Sequence, residues 1–267
     1  MRYNLTIPFM FKHTLGYLLA VLLLGGCLLP GGKDWSSAAN GSGTGILGPS
    51  GNGGGYVGGT MVTRPLPAEE LAPGEFEMAV GEVLDLSPLL GYEVRQPASV
   101  FDDVGENFTL AFVVAANEQV DLRAASNSII EKWDDYSTGY PFACRFHNQN
   151  SAFYGKISCH THQKTQTTQT IGLNTATTLL DGQYHSIVYQ RDGREFRLYH
   201  NGVLVDSKQG DFEDVSNQAL FRLGHRLATA SYPFFGRVSA IRLYTYPVDG
   251  ATVAALGVAD RDAVSNR

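Results

Sequence analysis

The stretch YHSIVYQRDGREFRLYHNGVLVDS, residues 184–207, contains three runs rich in β-branched and aromatic residues, at 184–191, 196–200 and 203–207. Between them stand Asp192-Gly193 and Asn201-Gly202. Asp-Gly and Asn-Gly tolerate the positive φ angles that tight hairpin turns demand, so these runs are expected to form an antiparallel meander. The same texture extends outward in both directions. Further candidate strands are 76–80, 108–115, 128–133, 141–148, 155–162, 169–173, 220–223 and 236–244. Eleven short strands separated by turn residues argue an all-β sandwich or barrel.

The 267-residue chain does not look foldable from its first residue. Residues 1–26 carry Arg2 and Lys12, no acid, and then the apolar run 15–24, which is the layout of an export signal. That run is too short to span a bilayer, which takes about 20 apolar residues. From Gly31 to Gly59 the chain is dominated by Gly, Ser, Asn and Thr without a period, and prolines follow at 65, 67 and 73. Residues 27–75 therefore read as a flexible tether, 76–258 as the folded domain and 259–267 as a tail. Loss of residues 1–26 removes two positive charges and no negative one, so the formal charge moves from -6 to -8. A basic nucleic-acid footprint is absent.

Leu24-Gly25-Gly26-Cys27 resembles the lipobox of bacterial lipoproteins, in which a cysteine behind small residues is lipidated. The resemblance implies a lipid anchor at Cys27, since multiple acyl chains give stable membrane attachment. Leu28 in place of aspartate implies, by analogy with enterobacterial sorting, the outer membrane. The other two cysteines, Cys144 and Cys159, are free to oxidise outside the cytoplasm. If they pair across a hairpin, opposing residue numbers sum to 303 and the strand period of two assigns every neighbour. One face then carries Phe142, Cys144, Phe146, Ile157, Cys159 and Thr161, and the other Ala143, Arg145, His147, Lys156, Ser158, His160 and His162. The first set is expected in the core and the second in solvent. A slip by one residue would bury Arg145 and Lys156.

Two places invite a chemical reading. His160 and His162 form a His-x-His pair that can begin a metal site. His147, roughly 13 Å further along the hairpin, cannot complete it, so the pair is read as a solvated strand face. In Glu131-Lys132-Trp133-Asp134-Asp135-Tyr136 the adjacent carboxylates Asp134 and Asp135 can share a Ca²⁺ with backbone carbonyls. They fit equally a solvated turn with Trp133 packed inward. Trp133, Tyr136 and Tyr140 are the candidate ligand-binding aromatics, because such rings offer flat apolar faces with a polar edge.

Five blocks, 129–133, 181–193, 198–202, 221–224 and 235–244, resemble in order and spacing the successive blocks of laminin-G-like domains of the concanavalin A-like superfamily. The likeness covers most of 76–258. It implies a two-sheet antiparallel jelly-roll sandwich, a short closing C-terminal helix near 247–256, calcium at a loop edge in many members, and carbohydrate or protein ligands. The chain departs from the catalytic branches. No Glu-x-Asp-x-Glu run is present, and neither Glu75 with Glu77 nor Glu213 with Asp214 supplies the pattern that retaining glucanases need. The Arg-x-Glu and Gln-x-His strands of alginate-lyase-like relatives are absent too, and no serine or cysteine nucleophile stands out. The expected function is a non-enzymatic, envelope-anchored binding module for carbohydrate or a surface protein. A polysaccharide-active enzyme with an unrecognised site and a structural envelope protein are the alternatives.

Overall fold

A computed structural model of the chain describes residues 62–87, 90–94, 104–116, 127–133, 139–164, 168–226 and 233–266. The export signal, Cys27, and the acidic and aromatic loop residues Asp134, Asp135 and Tyr136 lie outside them. In chain order the strands are β1 (Val62–Leu66), β2 (Glu69–Ala72), β3 (Glu75–Leu86), β4 (Leu90–Val94), β5 (Asn107–Ala115), β6 (Asn127–Lys132) and β7 (Tyr140–Phe146). They continue as β8 (Ile157–Lys164), β9 (Thr168–Asn174), β10 (His185–Asp192), β11 (Glu195–His200), β12 (Val203–Gln209), β13 (Phe221–Leu223) and β14 (Gly236–Tyr244), and helix α1 (Gly250–Ser265) follows.

Two seven-stranded sheets result. Sheet I runs β1-β4-β13-β6-β7-β8-β9, and sheet II runs β12-β11-β10-β5-β14-β3-β2. Only β1 with β4 is parallel among the named pairs. The inner faces meet over large rings: Phe108 lies 5.7 Å from Phe142 and 5.5 Å from Tyr189, and Phe142 lies 5.5 Å from Phe221. The expected jelly-roll-type sandwich is present, with its short C-terminal helix.

The meander forms as β10-β11-β12. Asn201 (φ 49°) and Gly202 (φ 79°) make the second turn, as the Asn-Gly pair requires. At the first turn Asp192 remains in the ladder opposite Glu195, so Gly193 (φ 56°) and Arg194 make the bend instead of Asp192-Gly193.

The tether boundary moves. Residues 62–66 and 69–72 were expected to be stiffened coil, yet they are β1 and β2 at one edge of each sheet. Pro65 is tolerated because an edge strand does not need every N–H. The tail boundary moves as well, because α1 extends to Ser265. Asp249 caps it by accepting from the Ala251 and Thr252 backbone N–H groups at 2.9 Å each. Val253, Gly257, Asp260 and Val264 recur at helical spacing and are the buried positions of α1. Val253 packs with Val248 on Ala111 and Val188, the outer face of sheet II. A Cβ on Gly257 would stand 2.5 Å from the Gly202 nitrogen, so only glycine lets the helix approach that turn. Arg242 anchors the last turns by pairing with both Glu77 and Asp260.

Loops at the far end are held by Arg191. Its guanidinium, almost fully buried, donates to the carbonyls of Gly193, Gly105, Phe212 and Glu213. Phe196 and Phe212 lie against it at 5.4 and 5.9 Å.

Cys144 and Cys159 face each other across β7 and β8 and are disulfide-bonded, fully buried in the core. The bond closes a loop with a sequence separation of 15. Replacing both cysteines by alanine is expected to lower the unfolding free energy by about 3 kcal/mol, read by urea denaturation under oxidising conditions. An unchanged midpoint would show that the cross-link does not restrict the unfolded chain.

Candidate functional site

The outer face of sheet I is where the chain departs from a plain sandwich. Cross-strand pairing lays one row over six strands: Glu93 on β4, Arg222 on β13, Glu131 on β6, Ala143 on β7, His160 on β8 and Gly172 on β9. At the usual strand spacing the row is roughly 24 Å long. Beside it runs a second row, Ser128, Arg145, Ser158 and Asn174.

The register on β7 and β8 explains how Tyr140 joins this face. From Ala143 to Phe146 opposing numbers sum to 303 as expected, but Tyr140 stands opposite His162, one residue out of step. A bulge at Pro141 and Phe142 absorbs the extra residue. Phe142 therefore stays in the core, and the Thr161 hydroxyl donates to the Pro141 carbonyl at 2.6 Å. Tyr140 stacks on His162, with centroids 5.3 Å apart and planes 24° apart, and its hydroxyl lies 3.2 Å from His160 Nδ1. His162 Nδ1 is 2.7 Å from the Thr170 hydroxyl.

This face was expected to be wet. It is largely closed, because its own side chains cover one another. Ala143, Ser158 and His162 are buried, and the Arg145 side chain is 13% exposed. Glu131, fully buried, lies 3.8 Å from Arg145 Nη2 and 3.5 Å from Arg226 Nε, and accepts from Ser128 Oγ at 2.6 Å. Arg222 Nε is 3.5 Å from Glu93. Among the described residues three guanidinium groups thus face two carboxylates, in a chain whose formal charge is -6. Burial pushes the Glu131 carboxyl above its ordinary range, against the pull of Arg145 and Arg226. Burial, with repulsion from the same two arginines, holds His160 well below its usual value. His160 is therefore neutral at neutral pH. Toward β9 the face opens: His147, Lys156, His160, Gly172 and Asn174 are only partly buried. At the β7–β8 turn Phe153 and Tyr154 are 43% and 45% exposed, and Lys156 Nζ sits 5.8 Å over the Phe153 ring.

Residues 93–254, more than half of the chain, match the family Laminin_G_3, described as the concanavalin A-like lectin/glucanases superfamily. The chain belongs to this family. Curated proteins give no significant match. Among solved structures, the chain is similar to the binding domain of Paraclostridial Mosquitocidal Protein 1, with TM-score 0.51 and 13% identity, over 72% of this chain and 45% of that one. It is also similar to the botulinum neurotoxin serotype G binding domain, with TM-score 0.48 and 14% identity, over 72% and 44%. The chain thus spans less than half the length of these structures, and at such identity the likeness concerns the fold.

Within this laminin-G-like sandwich the predicted aromatic site changes character. Trp133 and Tyr140 are 3% and 2% exposed, so they do not present open ring faces. They pack on each other at 5.5 Å, and the Arg226 guanidinium lies 3.1 Å over the Trp133 ring. The reason is the register: the bulge turns Tyr140 onto the outer face against His162, and Trp133, just after β6, lies beneath Arg226. Among the described residues no group of three His, Cys, Asp or Glu side chains is placed to hold a metal ion. The sequence reading missed Glu93, Glu131, Arg145, Arg222 and Arg226 as a set. One signal was present, since Glu131 and Arg222 each follow apolar neighbours in strands where a charge has no place in the core. What joins them is that β13 pairs with β6, across 89 residues of chain between Arg222 and Trp133.

The neutral His160 makes stability pH-dependent. Its folded-state value lies below the ordinary 6.5, so the unfolded chain takes up the proton first as pH falls. Stability is complete above pH 6.5 and is expected to fall below it by up to about 1.4 kcal/mol per pH unit. His160→Gln should reduce that slope between pH 6.5 and 5 in thermal or urea unfolding, the remainder coming from His147 and His200, whose values burial also lowers. A variant with the parent's slope would remove His160 from the explanation.

Proposed function

We propose that the chain is an envelope-anchored binding module whose ligand is carbohydrate, held across the outer face of sheet I. The observation that carries this reading is the polar row from Glu93 to Gly172, an extended line of donors and acceptors that the sandwich does not need for its core. Sugars present hydroxyls that such a line can pair and apolar ring faces that aromatic edges can cover. Gly172, partly buried, is the residue of the row that leaves space, above β9, and the open aromatics Phe153 and Tyr154 stand at the adjoining turn. The same architecture serves as a toxin binding domain, which is compatible with a ligand-holding role and assigns no ligand.

A second reading, an enzyme acting on polysaccharide, draws on one contact. The Tyr140 hydroxyl beside the neutral His160 imidazole is a donor–acceptor pair of the kind general acid–base chemistry uses. The acidic pair Asp134-Asp135 remains the proposed calcium position, and Cys27 the proposed lipid attachment.

Glycan-array binding of the full-length chain, with and without chelator, separates these readings. Retention of a glycan family supports the binding module, and its loss with chelator supports calcium. Release of new reducing ends or unsaturated sugars from the bound glycan would move the assignment to the enzyme. Binding of none would end the carbohydrate reading. Cys27→Ser is expected to shift the protein from the membrane fraction to the soluble fraction and to abolish labelling by a palmitate analogue. Continued sedimentation with membranes would refute the anchor.

A further inference from the structure

The chain enters the fold at the end of the sandwich where exposed apolar side chains gather. In sheet I, β1, β4 and β6 run in one direction and β7 returns, so Val62, Asn127 and the β7–β8 turn share that end. The connection from β9 to β10 ties it to sheet II: the Leu179 N–H donates to the Gly155 carbonyl and the Gly182 N–H to that of Ala116, each at 2.9 Å. β10 begins and β11 ends there, which puts Val203 and Leu204 of β12 beside the Asn201-Gly202 turn at the same end.

Ten large apolar or aromatic residues are exposed among the described residues, and five stand here: Val62, Phe153, Tyr154, Val203 and Leu204, between 43% and 65% exposed. Single exposed apolar residues are ordinary, but a group of them on one end marks a contact surface. The backbone holds them in place. The Tyr154 N–H donates to the Ser151 carbonyl at 3.1 Å and the Lys156 N–H to the Phe153 carbonyl at 2.9 Å. His147, 5.4 Å from the Phe153 ring, has Nε2 3.0 Å from Asn174 Oδ1, and the Asn174 N–H donates to Asp206 at 3.0 Å. The β7–β8 turn and β12 are thereby tied together.

Two observations choose the occupant. Only 35 residues separate Cys27 from Val62, so a lipid on Cys27 keeps this end within at most about 120 Å of the bilayer, and contact between them becomes intramolecular. The side chains also suit a lipid surface: Phe153 and Tyr154 stand with Lys156 Nζ 5.8 Å over the Phe153 ring, apolar bodies with polar tips that match the headgroup region. Asp85, Asp181 and Asp206, which lie at this end, are engaged by Arg237, His185 and the Asn174 N–H.

We propose that this end of the sandwich rests on the lipid surface, with Phe153 and Tyr154 in the headgroup region and Val62, Val203 and Leu204 against it. This rests on the lipid attachment proposed above and adds an orientation to it. The strands then stand upright on the membrane, and the polar row from Glu93 to Gly172 faces sideways, clear of the surface. Phe153 and Tyr154 border that row, and lipid takes them.

The test places the full-length, lipidated chain in phosphatidylcholine vesicles and introduces an indole by Tyr154→Trp or, separately, by Val203→Trp. Brominated acyl chains quench an indole only on contact. Loss of emission beyond that of the parent, whose Trp35 and Trp133 set the background, is expected at both positions. Phe153→Ser with Leu204→Ser, added to the Tyr154→Trp chain, should abolish that loss, and quenching that survives the pair would remove this surface from the contact. Flotation of the same samples reads the anchor. A chain that floats without added quenching at either position overturns the docked end and leaves the anchor standing, whereas a parent that does not float ends both. A Cys27→Ser chain that sediments as a dimer dissolved by Val203→Ser would give the surface to a second copy and overturn the proposal.

Discussion

The pairing of Cys144 with Cys159 is the constraint on which the rest of sheet I depends. A strand has two faces and a fixed alternation, so once those sulfurs are placed between the sheets, Phe142, Phe146 and Ile157 must enter the core beside them. The same alternation obliges Ala143, Arg145, Ser158 and His160 to face outward. A polar surface across six strands is thus a by-product of the core register, and the chain has filled it with paired charges instead of leaving it to solvent.

That choice works against stability taken alone. A carboxylate as buried as Glu131 loses hydration that its neighbours restore only in part, as the raised protonation range of the group records. The distances around it, 3.5 and 3.8 Å, are those of charge compensation without tight hydrogen bonding. By contrast Arg191, which holds the loops, is satisfied by four carbonyl groups and needs no acid to do its work.

Much of the fold was legible because it rests on local chemistry. Asn201-Gly202 placed a turn and the cysteine spacing set the β7–β8 register for four residue pairs, whereas the closing helix was implied by the family resemblance. The misreadings were of three physical kinds. Pro65 looks like coil until a sheet edge is available to accept it. Helix α1 continues past 258 because Asp260 and Val264 find partners on sheet II that only the fold provides. Trp133 and Tyr140 were candidate ligand-binding aromatics, with an inward-packed Trp133 as the alternative, and nothing local reveals Arg226 above one and His162 beside the other. The polar row itself depends on β13 lying between β4 and β6, an adjacency that no spacing along the chain announces.

Pro141 is the residue that the ladder does not count. Between the pairs Ala143 with His160 and Tyr140 with His162, β7 spends three steps where β8 spends two. Elsewhere in this strand, loss of a single residue would turn phenylalanines toward water and arginine toward the core. Here it would leave Tyr140 and Phe142 on the faces they already occupy. The bulge therefore marks the one point of β7 where the strand can change length without turning itself inside out.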